Sequence, residues 1–204
     1  MGVDMRVKTE TRREAILEVA AQVFQELGYE RTSMDEIAAR MGGSKVTLYG
    51  YFASKQQLFL EVANHLGAKQ LGPAYDELVV DSDDMSRVLR RFGEKFLSFI
   101  CTPQAAGTYR MVISQSGQSD IGRAFFELGP KRGEEAIAIF LQSQMDIGRL
   151  KKTDASVAAK HLLGLLSAET FDRILLGVMA SPTRQQLKQI VDRAVKVFTV
   201  AYAV

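Results

Sequence analysis

Wherever apolar residues cluster in this chain they return at steps of three and four, and no convincing run alternates them with polar ones. That spacing lays a stripe along a helix and not along a strand, so the chain is held to an all-α fold. Ile16, Val19, Ala20, Val23, Phe24 and Leu27 open the pattern, and Leu187, Ile190, Val191, Ala194, Val195 and Phe198 close it. With 47% hydrophobic residues among 204, there is enough apolar surface for one large core or two small ones.

Capping signals and glycines cut the stripe into elements. Thr11-x-x-Glu14 has capping-box spacing and opens a first helix, which Gly28 stops. Ser33-x-x-Glu36 opens a short second helix with Ile37, Ala38 and Met41 inward, and Gly42-Gly43 ends it. A third covers 44–52. Ser54-x-x-Gln57 opens a fourth, striped by Leu58, Phe59, Val62, Ala63 and Leu66, and Gly72-Pro73 breaks the chain. Further helices are expected over 84–100 (closed by Pro103), 104–115, 119–128, 130–147 and 154–179. Ser181 and Pro182 then read as the N-cap and first residue of a last helix ending near Ala201. The expected organisation is a three-helix unit over 1–56 and a helical bundle over 57–204.

The segment 32–58 carries the functional signal. Two short helices that cross need a small residue at the crossing, Ala38, and a turn residue tolerant of positive φ, Gly42. The third helix needs one apolar side to hold it, which Val46 or Leu48 can supply together with Phe52. Its other side carries Ser44, Lys45, Thr47 and Tyr49, with Gly50 and Tyr51 close by, and is left for a partner. This is the layout of a helix-turn-helix whose second helix lies in the major groove of DNA. Thr32 and Ser33 stand at the start of the second helix, where free N–H groups and the helix dipole favour an anion. Lys55 repeats that arrangement at the fourth helix with a charge added, and the phenols of Tyr49 and Tyr51 can donate to phosphate. Arg6, Lys8, Arg12 and Arg13 can reach an adjacent groove or backbone.

Charge alone would not have pointed to nucleic acid. The net charge is +2, and residues 1–56 hold eight basic and eight acidic side chains, so the bases matter through where they point. One cysteine, Cys101, excludes an internal disulfide and reads as a small buried apolar residue; with only two histidines there is no metal-ligand cluster, and no cofactor is expected. No glycine-rich phosphate loop, paired-carboxylate motif or nucleophile elbow argues for an enzyme. No apolar run has the length to span a bilayer and the N-terminus has no secretory pattern, so a cytoplasmic protein is expected.

The run T-L-Y-G-Y-F-A-S-K-Q-Q-L, from Thr47 to Leu58, resembles the signature T-L-Y-x-Y-F-x-S-K-x-x-L of TetR-family regulators, and the preceding D-E-I-A-A-R-M-G-G-S-K fits it. The resemblance covers about residues 9–66. Residues from Tyr109 to about 152 more loosely resemble the AefR-like C-terminal domain of some members. The family implies an all-helical homodimer, usually a repressor, with an N-terminal DNA-binding unit and a C-terminal bundle that binds a small ligand and dimerises. Carried across by position, Lys45, Val46, Thr47 and Tyr49 occupy base-facing places, and Thr32, Ser33, Tyr51 and Lys55 phosphate-facing ones. Val46 stands where a small residue or proline is usual, and suits a thymine methyl. Gly50 stands where a larger side chain is common, which removes a contact.

The same resemblance places an apolar or weakly polar effector among Phe92, Phe96, Phe99, Tyr109, Met111, Phe125, Phe126 and His161, with Gln115 as a further polar candidate. A phenylalanine stripe at helical spacing is also what a plain core looks like. The last two helices carry long apolar faces, Leu162, Leu166, Phe171 and Leu175 on one and 187–198 on the other. Left bare they would form an exposed patch, so burial against a second copy is expected.

Overall fold

The computed structural model describes residues 2–78 and 84–204, with the backbone alone for residues 2–8, so the side chains of Arg6 and Lys8 lie outside the described residues. Among the described residues the regular structure is helical, apart from one isolated bridge between Leu150 and Ala203. The chain forms two compact units, Met1–Leu66 with Met111–Phe125, and Gly67–Arg110 with Phe126–Val204.

The first unit holds α1 (Gly2–Arg31), α2 (Met34–Arg40), α3 (Lys45–Tyr51) and the leading turns of α4 (Lys55–Glu77). Helix α1 already runs from Gly2, so Thr11 lies inside it and is not its cap. Gly28 does interrupt it, at φ 76 and ψ 170, a backbone conformation that a residue with a Cβ adopts at a cost of about 1–2 kcal/mol. Ile16, Leu17, Ala20, Val23 and Phe24 are buried on α1, as are Ile37, Leu48, Phe52, Leu58 and Phe59 on the elements that follow. Phe59 anchors the aromatic part of this core, 5.1 Å from Phe24 and 5.2 Å from Tyr29 between ring centroids. Helices of seven residues do not stand alone in water, so α2 and α3 depend on caps and on this core. Ser33 caps α2 by accepting from the Glu36 N–H at 3.1 Å. At α4, Ser54 Oγ accepts from Gln57 N–H while Gln57 Oε1 accepts from Ala53 N–H.

The second unit is a bundle of α5 (Met85–Ile100), α8 (Pro130–Asp146), α9 (Ala155–Ser167), the short α10 (Phe171–Leu175) and α11 (Arg184–Tyr202). The rest of α4 and parts of α6 (Pro103–Ser116) and α7 (Ile121–Leu128) join it. Helix α11 packs on α5 and α9, and α9 on α8. Gly93 makes the α5 crossing close: a Cβ there would stand 2.8 Å from Leu166 Cδ2 and 2.9 Å from Val191 Cγ1. Gly93→Ala is therefore expected to destabilise this unit by about 1–3 kcal/mol through overpacking, read as a lower midpoint in chemical denaturation. An unchanged midpoint would show that the crossing has slack.

Four further expectations from the sequence fail here. Gly72-Pro73 does not break the chain; α4 runs through it, and the turn beyond buries Ala74 and Leu78 in the core, which offsets the proline penalty of about 3 kcal/mol. Pro103 opens α6. The stretch 154–179 is two helices, α9 ending at Ser167, whose hydroxyl bonds back to Leu163 O at 2.8 Å, with α10 restarting after Thr170. The last helix is capped by Thr183, in a full capping box with Gln186, because Ser181 instead donates to Cys101 O at 2.7 Å.

The apolar faces assigned to a second copy are also largely spent within the chain. Leu162 and Leu166 of α9, and Leu187, Ile190, Val191, Ala194, Val195 and Phe198 of α11, are buried in the core of their own bundle. Cys101 is buried there too, donating to Thr170 Oγ1, and burial pushes its thiol pKa up.

Candidate nucleic-acid interface

Helix α3 packs inward through Leu48, with Thr47 and Tyr51 half-buried beside it. Leu48 is its only buried residue, at 0% exposure, with buried Phe52 directly after its end. Leu48 takes the inward place that the sequence left open between it and Val46, and Val46 stands 82% exposed. Lys45 and Tyr49 are exposed and Thr47 is half-buried, so α3 presents a charge, a branched methyl pair, a hydroxyl and a phenol on its free surface. Gly42, at φ 61, makes the turn that sends the chain from α2 into α3.

The individual polar groups are more committed than spacing alone suggests. Ser44 is the N-cap of α3; its Oγ accepts from Thr47 N–H at 3.1 Å and lies 2.9 Å from Thr47 Oγ1. Lys45 pairs with Asp35 at 2.6 Å, but both are exposed, and such a pair is worth about 0–1 kcal/mol and yields readily to a phosphate. Arg40 is tied to Glu36 and Glu26, and Arg13 to Glu61 at 2.9 Å while lying over the Phe52 ring. Tyr51 is half-buried with its ring beside Phe52.

Two of the phosphate-facing candidates make other bonds in the free protein. Thr32 is buried, and its hydroxyl donates to Gly28 O at 2.7 Å, closing the carbonyl that the kink in α1 sets free. Lys55 turns back onto the end of α1, donating to Tyr29 O at 2.9 Å and Glu30 O at 3.4 Å with its ammonium 4.4 Å from the Tyr29 ring centroid. Carbonyls without helical partners and an aromatic face attract a cation there as a phosphate would. Ser33 stays exposed at the start of α2.

The effector candidates divide. Phe92 is fully buried between Tyr75 and Phe96, so it has no free surface to offer a ligand and serves as core. Phe96 and Phe99 are half-buried, and half-buried Tyr109 meets Phe171 edge-on at 5.0 Å. Met111 and Phe125 belong to the first unit. Phe126 is exposed, and so is His161, whose Nδ1 bonds the Tyr202 hydroxyl on the outside of the bundle. Gln115 donates to Glu30 Oε1 at 2.7 Å, tying α6 to α1 within the first unit. Tyr75, beyond the helix end expected at Gly72-Pro73, lies within α4 and packs against the bundle core. Burial, with Tyr109 beside it, pushes its phenol up to about 12.

Comparison with known proteins agrees with this layout. Residues 16–62 match the family model of bacterial regulatory proteins, tetR family, and residues 87–204 match the model of the AefR-like transcriptional repressor, C-terminal domain. Over 95 residues, 47% of the chain and 43% of the relative, the sequence is 37% identical to the HTH-type transcriptional activator FasR of Mycolicibacterium smegmatis; this match spans less than half of that protein. The fold superposes on a TetR-family transcriptional regulator of Mesorhizobium loti with a TM-score of 0.86 at 24% identity, covering 96% of this chain and 98% of that one. It superposes on the flavonoid-responsive regulator FrrA with a TM-score of 0.76 at 28% identity, covering 95% and 98%.

Proposed function

The chain belongs to the tetR family of bacterial regulatory proteins, and from that premise we propose a homodimeric repressor that a small effector releases from a palindromic operator. Transcription regulation through a helix-turn-helix is the family's activity. The observation that carries the reading is α3: a seven-residue helix with Leu48 as its one buried residue, and with Lys45, Val46, Thr47 and Tyr49 on the side away from it, has the form of a recognition helix. Residues 1–56 supply the DNA contacts and residues 57–204 the effector and dimer functions. The repressor polarity is supported by the C-terminal family match; the similarity to an activator makes it a point for experiment. The effector is a small apolar or weakly polar molecule, which the flavonoid response of FrrA supports.

The dimer surface lies outside the bundle core. On α9, Val157, His161, Gly164 and Ala168 follow at steps of three and four and are exposed. On α11, Val197 and Val200 are exposed three residues apart, and the His161–Tyr202 hydrogen bond joins the two helices. Small and β-branched residues on paired helices suit close self-complementary packing about a two-fold axis.

Footprinting on genomic fragments selected by the protein should show an inverted repeat with half-sites about one helical turn apart or somewhat more, bound less tightly as salt rises. A single non-repeated site would overturn the dimer reading, and a reporter that falls silent on deletion of the gene would overturn repression. Thr47→Ala and Val46→Ala are each expected to cost about 1–3 kcal/mol of operator affinity and to relax the preference at one base pair, read by selection from a randomised operator. Uniform weakening at all positions would assign these residues to backbone contact instead.

A further inference from the structure

Helix α4 passes from the first unit to the second between Leu66 and Gly67 with its helical backbone unbroken. Ala63 is the last of its residues buried in the one unit, and Ala74 the first buried in the other. The ten residues between them, 64–73, are all half-buried or exposed. Nearly three turns of helix therefore run with no side chain fully in either core. A helix of that length has little stability of its own in water and stands because its two ends are anchored.

The composition of this stretch weakens it further. Gly67, Gly72 and Pro73 fall within it, and glycine and proline are the poorest residues for a helix interior. Neither glycine is required by the fold. A Cβ at either would meet no atom within 4 Å, and neither has the left-handed φ that favours glycine. At Gly93 of α5 and Gly133 of α8, by contrast, a Cβ would collide with neighbouring side chains. Pro73 lacks the N–H for its own bond along the helix, and it is exposed, so packing does not call for its ring.

We infer that residues 64–73 are a hinge inside α4: a stretch that bends or opens while its two ends stay packed, so that the recognition helix of each copy can shift to meet its half-site. Local opening draws on the least stable parts of a fold, and here such a part lies where the chain first passes from one unit to the other. The use of the hinge on the operator rests on the reading of the chain as a dimeric DNA-binding regulator; the hinge itself does not.

The test is native-state hydrogen exchange on the full-length protein, paired with operator binding. Amides of 67–72 should exchange at least about tenfold faster than those of 59–63. Gly67→Ala combined with Gly72→Ala should slow the 67–72 amides by about tenfold or more, because each change favours helix by about fivefold, and should leave 59–63 unchanged. Ala68→Gly should speed the same amides by about fivefold. Moving the half-sites one base pair closer or farther shifts each by about 3.4 Å and turns it by about 35°. The wild type should lose about threefold in affinity on such operators, and the double variant about tenfold or more. Amides of 67–72 that exchange as slowly as those of 59–63 overturn the hinge. The expected exchange with equal spacing tolerance in both proteins keeps the hinge and overturns its use on the operator. The expected exchange with no inverted repeat bound by the wild type overturns the dimeric regulator reading, and the operator use with it, and leaves the hinge standing.

Discussion

Val200→Glu should run as a monomer in light scattering at micromolar concentration and lose operator affinity by about 10²–10⁴-fold. Helix α11 turns its Leu187–Phe198 face into its own bundle, and the proposed dimer surface includes Val197 and Val200, with Val200 at 75% exposure. A carboxylate on that surface costs the monomer nothing, because it stays in water. In a dimer two copies would be desolvated near the two-fold axis, at several kcal/mol each, and would repel one another. A monomer then binds one half-site without the gain in effective concentration that the second head supplies, which accounts for the size of the loss. Gln142→Glu, on the exposed side of α8, is the control and should change neither mass nor affinity. A dimer of Val200→Glu with full operator affinity would remove α11 from the interface.

Leu48→Ala should destabilise the first unit by about 2–5 kcal/mol and abolish specific binding, with unfolding of the second unit unchanged. Leu48 is the single buried residue of α3, and a seven-residue helix has no stability of its own to fall back on. The cap at Ser44 would remain, but it fixes only the first turn. Hydrogen exchange should show α3 amides losing protection first. Full operator affinity in this variant would mean that DNA itself organises α3, and that the pinned helix of the free protein is not what the operator selects.

How far the sequence could be read depended on whether the deciding interaction was local. Ser33 and Ser54 cap helices as their spacing indicates, because a cap is a bond between residues three apart, and Ser44 and Asp84 prove to cap the helices expected to begin at them. The same local logic failed at Ser181, whose hydroxyl goes to Cys101 O, eighty residues away, and at Pro73, where burial of Ala74 and Leu78 holds the helix together. Lys55 was placed correctly at the start of α4, but its direction is set by Tyr29 and Glu30, which no spacing rule brings near it. Periodicity showed that α9 and α11 each have an apolar face without showing which neighbour covers it. The inner faces went to their own bundle, and the valines that stay exposed, Val157, Val197 and Val200, fall outside the stripes that periodicity picked out.

Cys101 gives the molecule a practical property. It is the chain's single thiol, buried, bonded to Thr170 and held in its protonated, unreactive form, so the native surface presents no nucleophilic sulfur. A cysteine introduced at an exposed position such as Ser44→Cys would be the one site at which a maleimide spin label attaches, with no need to remove the natural thiol first. In a symmetric dimer that single label appears twice, once on each recognition helix, so the distance between the two spins reports directly how far apart the heads stand, with and without effector.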